Sequence, residues 1–406
     1  MTSDNRSRPT LLVLASTYPR WAGDHEPGFV HELGKRLTDQ FHVIAIVPSA
    51  PGAETNEVLD GVEVIRYRYA PRRLETLVHN GGMVANLRRQ RWKMLLLPTF
   101  LIAQAWNSWR QVRKRQVDVI HAHWLLPQGF VAAILAKLSK RFPPFLVTSH
   151  GADLFALRGR IMTVLKLFVA RNADGLTVVS AAMCRELERI GIGVRNVSVQ
   201  PMGVDLSSRF SPDPEVKRSR DEILFVGRLV EKKGLKHLID AMPAILMEYP
   251  SCYLTVAGFG PELAERNIQV RRLGLTHKVR FVGSVPQPEL PALYRRAAVF
   301  VAPFVEASGG DQEGLGLVAV EAAGCGCPVV VGDLPATRSA FGEDQVKFCT
   351  SDSPRSIAEQ VCAILKSPPN SHLAEAAFKS LLARFDWPTV AAGYEKVLLD
   401  LIRKPS

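Results

Sequence analysis

Short apolar runs recur along the chain, each closed by glycine, proline or small polar residues, with amphipathic stretches between them. Residues 11–15 (Leu-Leu-Val-Leu-Ala), 43–47 and 62–67 read as strands. So do 117–121, 145–148, 176–179 and 197–201. The unbroken apolar run at 11–15 predicts a strand covered on both faces. Residues 30–37 begin a helix after a loop over 16–29, and Ser180 is placed to cap the helix after the 176–179 run. The stretch 207–222 is polar, contains Pro212 and Pro214, and reads as an interdomain linker. The alternation then restarts, with strands at 223–226, 253–257, 279–282, 299–303 and 329–331, and helices at 357–365, 373–385 and 390–402. Strand–helix alternation in both halves predicts an α/β protein with parallel sheets flanked by helices.

Candidate chemistry concentrates in residues 306–331. Gly309, Gly310, Gly314 and Gly316 let backbone approach a ligand closely. From about Leu315 the pattern becomes helical, and Gly324, Gly326 and Pro328 end it. A glycine-rich loop opening a helix offers free N–H groups and a positive dipole end, which suit a diphosphate. Glu313 and Glu321 do not favour phosphate; as ligand-binding groups they would take hydroxyls, and otherwise they are a solvated pair. Glu321 lies among Val318, Ala319, Val320, Ala322 and Ala323, which leaves it no obvious solvated face. Arg228 and Lys233 bracket a turn after the 223–226 strand, either as a solvated basic loop or as a fixed guanidinium and a mobile ammonium for a diphosphate. His121 and His123 end one strand and His150 ends another, at what becomes the carboxyl edge of a parallel sheet, where ligands of such sheets bind. The i,i+2 histidine pair lacks a third metal ligand, so no metal site is read.

The run Glu313-Gly-Leu-Gly-Leu-Val-Ala-Val-Glu321 resembles the Glu-x7-Glu motif of retaining glycosyltransferases of family 4. The likeness spreads over nearly the whole chain: His121-Ala-His123, Thr148-Ser-His150-Gly151, Met202-Gly203-Val204-Asp205 with Met202 where the family has Asn, Gly227-Arg228 with Lys233-Gly234, Gly258-Phe-Gly260-Pro261 and Phe385-Asp386-Trp387. The resemblance implies the GT-B fold, two Rossmann-like domains facing a central cleft with the C-terminal helix crossing back. It divides the chain into an acceptor-side domain 1–206, a nucleotide-sugar domain 207–384 and a returning helix 385–406. It implies donor binding by Arg228, Lys233, Val285, Gly314, Leu315 and Glu321, and a catalytic set of His123, Glu313 and His150. Many family members carry a tandem glycine in the first loop; here only Pro27-Gly28-Phe29-Val30 stands, and Gly28 takes the role.

Composition narrows the partners. The charge is +12 among 406 residues, which suits an anionic partner. No recognition motif of a standard nucleic-acid module occurs, so a nucleic-acid-binding protein explained by charge alone leaves Glu321 without an account. The six cysteines show neither metal spacing nor a disulfide framework, which fits a reduced, cytoplasmic compartment. Cys325-Gly-Cys327 reads as small-residue packing at a helix end, or as a redox pair. The polar start of the chain shows no signal peptide. Residues 88–115 stand apart: basic clusters flank an apolar centre too short to span a bilayer, with Trp92, Trp106 and Trp109 at its margins. Two readings stay open, a buried helix with basic ends and a surface resting on anionic lipid.

The expectation is therefore a retaining, metal-independent hexosyltransferase without a cofactor. It moves a sugar from a nucleotide-diphosphate donor to a glycan or polyprenyl-lipid-linked acceptor. Cell-surface polysaccharide or lipopolysaccharide assembly is the expected setting, peripheral on the inner membrane face. A nucleotide-sugar epimerase or hydrolase of the same shape is the alternative, and it requires an acid/base pair beside the sugar.

Overall fold

The computed structural model describes residues 8–24, 28–79, 82–194, 197–367 and 371–403. Two compact units divide the chain. Unit 1 comprises 1–179, 183–200 and 390–406, and unit 2 comprises 180–182 and 201–389.

Unit 1 is built on an eight-stranded sheet. Its strands are β1 (Thr10–Leu14), β2 (His42–Pro48), β3 (Asn56–Leu59), β4 (Val62–Tyr67), β5 (Val119–His123), β6 (Phe145–Ser149), β7 (Gly175–Val178) and β8 (Val197–Val199). They lie in the order β3-β4-β2-β1-β5-β6-β7-β8. The central strands are buried along their length: Leu11, Leu12, Val43, Ile44, Ile120 and Leu146 are all 0% exposed. Such strands need helices on both faces, and the apolar runs supply the burial. The expectation of wholly parallel pairing fails at one edge. Strand β3 pairs antiparallel with β4. Asp60 (φ 47°) and Gly61 (φ 83°) between them form a two-residue turn whose positive φ angles match the twist of a hairpin.

Unit 2 holds six parallel strands, β9 (Glu222–Val226), β10 (Tyr253–Ala257), β11 (Val279–Gly283), β12 (Val299–Ala302), β13 (Val329–Gly332) and β14 (Lys347–Cys349), ordered β11-β10-β9-β12-β13-β14. One core joins Ile223, Leu254 and Val301 of the sheet to Leu238, Met242 and Ile245 of the 235–248 helix and to Ile357 and Val361 of the 354–366 helix. The stretch expected to be a linker is fastened to this unit. Phe210 is 1% exposed, and Arg218 donates to the carbonyls of Ala297 (2.8 Å) and Gly326 (2.9 Å).

The last helix, Trp387–Arg403, starts in unit 2, and its residues from Val390 onward belong to unit 1. There the Tyr394 hydroxyl donates to the Gln200 carbonyl at 2.9 Å. Ser180 does not cap its helix: its buried hydroxyl has no hydrogen-bond partner among the described residues.

Gly234 shows how tightly the site turn is seated. It has φ +72°, and a Cβ there meets the Pro303 carbonyl oxygen at 2.1 Å. Left-handed strain and a backbone clash then add. Gly234→Ala should cost about 2–4 kcal/mol in urea unfolding. Gly193→Ala, where nothing lies within 4 Å, should stay within about 0.5 kcal/mol.

Candidate active site

Among the residues singled out in the sequence, the structure pairs His123 with His150 in unit 1 and Lys233 with Glu313 in unit 2. In unit 1, β5 and β6 end side by side, with His123 paired in register to Thr148. His123 Nδ1 and His150 Nε2 are 2.9 Å apart, and the two rings stack nearly parallel at 5.2 Å. Phe29 and Trp124 pack their rings against His150 at 4.9 and 5.1 Å. Behind them, His121 Nε2 lies 2.7 Å from the Thr148 hydroxyl, which lies 2.5 Å from that of Thr177. Trp124 takes φ 78°, a conformation that costs a non-glycine residue about 1–3 kcal/mol.

Burial sets the protonation of this group. His150 is pushed down to about 3 by desolvation, with a smaller repulsion from His121. His123 is driven well below its ordinary value, first by desolvation and then by its two histidine neighbours. Both rings are therefore neutral near pH 7, and each offers one donor and one acceptor. They are suited to hydrogen-bonding hydroxyls rather than to carrying a positive charge.

Asp153 is a residue that sequence reasoning left without a role. Its carboxylate is 2% exposed and accepts from Leu125 N (2.7 Å), the Ser149 hydroxyl (3.0 Å) and His150 N (3.2 Å). It thus ties the loop after β5 to the loop after β6 and fixes the His150 backbone. The sequence signal was its place three residues after His150 in a Gly-Ala-Asp turn. Gly28 directly precedes the Phe29–Arg36 helix, and its carbonyl accepts from Glu32 N at 2.8 Å. Pro27, quoted with it, lies outside the described residues.

In unit 2 the turn after β9 faces the loop after β12. Lys233 Nζ donates to the Glu313 carboxylate at 2.7 Å, and Lys232 Nζ reaches Asp311 at 3.2 Å. The Val305 amide donates to the Lys232 carbonyl at 3.0 Å, so backbone as well as charge holds turn and loop together. Lys233 also lies over the Phe304 ring at 4.8 Å. Burial raises the Glu313 carboxyl, but Lys233, Lys232 and the Gly316 amide outweigh it and hold the group down at about 2. Arg228 stands five residues before Lys233 on the same turn, its carbonyl accepting from Val230 N at 2.9 Å.

The helix that follows begins later than the periodicity predicts. It runs Leu317–Gly324 with Gly316 as its cap at φ 85°, which leaves Gly314 and Leu315 buried in the loop. A side chain on Gly316 would strike the Phe304 ring at 2.9 Å, so the loop must complete its turn before the helix starts. Glu321 is 8% exposed and points inward, as its apolar neighbours implied. Its partner, Tyr294, donates at 2.9 Å and comes from the Leu290–Arg296 helix, a pairing no local pattern announces. Val285 is half-buried in the loop after β11.

Burial pushes the Cys325 and Cys327 thiols up to about 12, which withholds the reactive thiolate and favours packing over redox chemistry. Among the described residues, no group of three or more His, Cys, Asp or Glu is disposed to hold a metal ion.

Residues 29–208 match the family described as Glycosyltransferase Family 4, and residues 208–380 the one described as Glycosyl transferases group 1. The chain is 28% identical over 416 aligned positions to a glycogen synthase of Mycobacterium tuberculosis, covering 96% of this chain and 94% of the relative. It is 31% identical to a phosphatidyl-myo-inositol mannosyltransferase of Mycobacterium leprae, over 69% of this chain and 72% of the relative. Its fold is that of the sucrose-phosphate synthase of Thermosynechococcus elongatus, with a TM-score of 0.77, 22% identity, and coverage of 97% and 99% of the two chains.

Glu321 yields a pH test. Burial raises its carboxyl from 4.5 to about 7, against the lowering by the Tyr294 hydrogen bond and by Lys233. The folded protein then holds a proton that the unfolded chain has released. The stability this group contributes is complete below about pH 4.5 and declines as pH rises toward 7. Glu321→Gln should remove a decline on the order of 1–3 kcal/mol between about pH 5 and pH 7. Urea unfolding of both proteins at the two pH values measures it, and equal slopes count against a protonated Glu321.

Proposed function

The chain belongs to glycosyltransferase family 4, and from that premise we propose that it takes its sugar from a nucleotide-diphosphate donor bound in unit 2 and transfers it with retention of configuration. One observation carries the donor assignment. Lys233 and Glu313 meet at 2.7 Å where the basic turn abuts the glycine-rich loop. A cation for phosphate and a carboxylate for hydroxyls thus adjoin, as the junction between a diphosphate and its sugar requires.

In this reading Lys233 and Arg228 stabilise the negative charge that grows on the leaving diphosphate, in the place a divalent metal takes in other transferases. The loop amides around Gly314 and Leu315, at the positive end of the 317–324 helix, add to that field. Glu313, ionised throughout the physiological range, accepts from the sugar hydroxyls. Glu321 accepts from the ribose hydroxyls with the oxygen that Tyr294 leaves free. Val285 meets the nucleobase through its backbone, and Gly28 permits close approach in the first loop. His123 and His150 act as neutral hydrogen-bonding groups toward the transferred sugar. The acceptor oxygen bonds to the anomeric carbon as the carbon–phosphate-oxygen bond breaks, and the acceptor proton passes to the leaving phosphate. No protein nucleophile is assigned and no cofactor is needed.

The acceptor in this reading is a glycan or a polyprenyl-lipid-linked glycan, and the setting is cell-surface polysaccharide synthesis on the inner membrane face. The alternative of an epimerase or hydrolase is less well supported, because a base held at about 2 and histidines held neutral are poor proton shuttles near pH 7.

Screening nucleotide sugars for thermal stabilisation identifies the donor, and the winner is then assayed with membrane extracts. Lys233→Ala and Arg228→Ala should each lower kcat about 100-fold or more, with a smaller change in KM. Near-normal turnover in both variants would sink the proposed role. Rapid donor breakdown without any acceptor would favour the hydrolase.

A second expectation follows from Glu321. Hydrogen bonds from a bound ribose favour its charged form. Nucleotide binding near pH 7 should therefore release a fraction of a proton, measured by calorimetry in buffers of different ionisation enthalpy. Glu321→Gln should abolish that release.

A further inference from the structure

Two helices of unit 1 bury polar side chains, beside Phe100 in one and Val169 in the other, while leaving large apolar residues exposed. The Leu97–Lys114 helix turns Gln104 and Ser108 inward, both 0% exposed. Neither amide atom of Gln104 nor the Ser108 hydroxyl has a hydrogen-bond partner among the described residues. Its outer face instead carries Ile102, 67% exposed, and Trp106, 59% exposed. Just before it, Met94 and Leu95 are exposed as well. The Arg160–Asn172 helix likewise buries a polar residue and exposes apolar ones. Lys166 is buried and donates to the carbonyls of Leu154 and Leu157, each at 2.7 Å, while Ile161 and Val164 lie outside. The Phe130–Leu138 helix packs against both. Burying unpaired polar groups while exposing large apolar ones destabilises an isolated domain. The arrangement makes physical sense when the outer face has an apolar partner of its own.

Charge identifies that partner. Residues 76–117 contain eight Lys and Arg and no Asp or Glu. Arg89 and Arg91 are exposed at one end of the apolar strip, and Arg110, Arg113 and Lys114 at the other. Arg113 lies over the Trp109 ring at 5.0 Å, and Trp109 packs on Trp106 at 5.1 Å. Two copies of this face brought together would set like charges opposite one another. A bilayer with anionic headgroups offers both an apolar interior and countercharge, with tryptophan favoured at the boundary. No helix among the described residues is long and apolar enough to cross a membrane, so the contact is one made in the plane of the surface.

We propose that the outward apolar faces of the 97–114 and 160–172 helices, with the basic side chains at the ends of the first, dock unit 1 on an anionic lipid bilayer, so that the acceptor is one displayed at that surface. The statement about the acceptor rests on the glycosyltransferase reading above; the docking does not. The second helix extends the surface beyond the 88–115 segment. Arg88 Nη2 donates to the Ala156 carbonyl at 3.2 Å, which joins the start of that segment to the loop leading into the second helix.

The test is co-sedimentation of the full chain with vesicles of phosphatidylcholine alone, and of phosphatidylcholine and phosphatidylglycerol in equal parts, without donor or acceptor. Binding is expected with the anionic vesicles only, with a blue shift of tryptophan fluorescence. The double variant Ile102→Glu/Trp106→Glu, the double variant Ile161→Glu/Val164→Glu, and the triple variant Arg110→Glu/Arg113→Glu/Lys114→Glu should each lower vesicle partitioning about tenfold or more. Circular dichroism and donor-induced thermal stabilisation of each variant show that it still folds. Indifference to anionic lipid, or unchanged binding by all three variants, overturns the proposal. So does a dimer that Ile102→Glu dissociates, since a second copy would then cover the face. Vesicle binding by a chain that no nucleotide sugar stabilises would leave the docking standing and remove the donor reading.

Discussion

The ion pair between Lys233 and Glu313 is the contact on which the candidate donor site depends. Each side chain is only about one-sixth exposed (15% and 16%). Withdrawing two charges this far from water is unfavourable unless geometry and further hydrogen bonds compensate. Here they do. Lys233 and Lys232 add positive charge beside the carboxylate, the Gly316 amide favours its charged form, and the carboxyl is held at about 2. Gly234 lets the turn press against Pro303, where any side chain would collide. The pair thus fixes where positive charge stands after β9 and where negative charge stands after β12. In the proposed reading an arriving diphosphate would compete with Glu313 for one ammonium group, which links donor binding to the state of this pair.

The two units contribute different chemistries. The unit 2 group is charged and polarised, and it suits a reaction in which charge accumulates on a leaving group. The unit 1 group is a stack of neutral imidazoles behind aromatic rings, kept uncharged by burial. Asp153, a buried acid with three hydrogen-bond donors around it, ties down the backbone at Leu125 and His150 beside that stack. Such a set orients hydroxyls and resists protonation.

Much of this was legible in the residues. The apolar runs determined the strands because a strand buried on both faces has no polar positions to spare. The glycines after β12 and the basic turn after β9 were legible as candidate phosphate-binding features because backbone approach and cationic charge are local properties. Glu321 was legible as inward-facing because its neighbours on every side are apolar. The Asp60-Gly61 hairpin was not read from the sequence, although an Asp-Gly pair before a strand is a turn signal.

Contacts between distant residues were decided by tertiary structure alone. Tyr294 lies 27 residues from Glu321, and Lys233 lies 80 from Glu313; nothing in either local sequence names the partner. The polar 207–222 stretch looked like a linker because linkers and packed irregular segments share a composition, and only Phe210 and Arg218 finding seats on unit 2 told them apart. The 97–114 helix makes the same point most sharply. Its sequence showed an apolar centre between basic clusters, read either as a buried helix or as a lipid-facing surface, and periodicity does not say which face meets the sheet. Packing against β2 and β4 turned Gln104 and Ser108 inward and left Ile102 and Trp106 outside. Periodicity is a property of the chain; the direction a face points is a property of its neighbours.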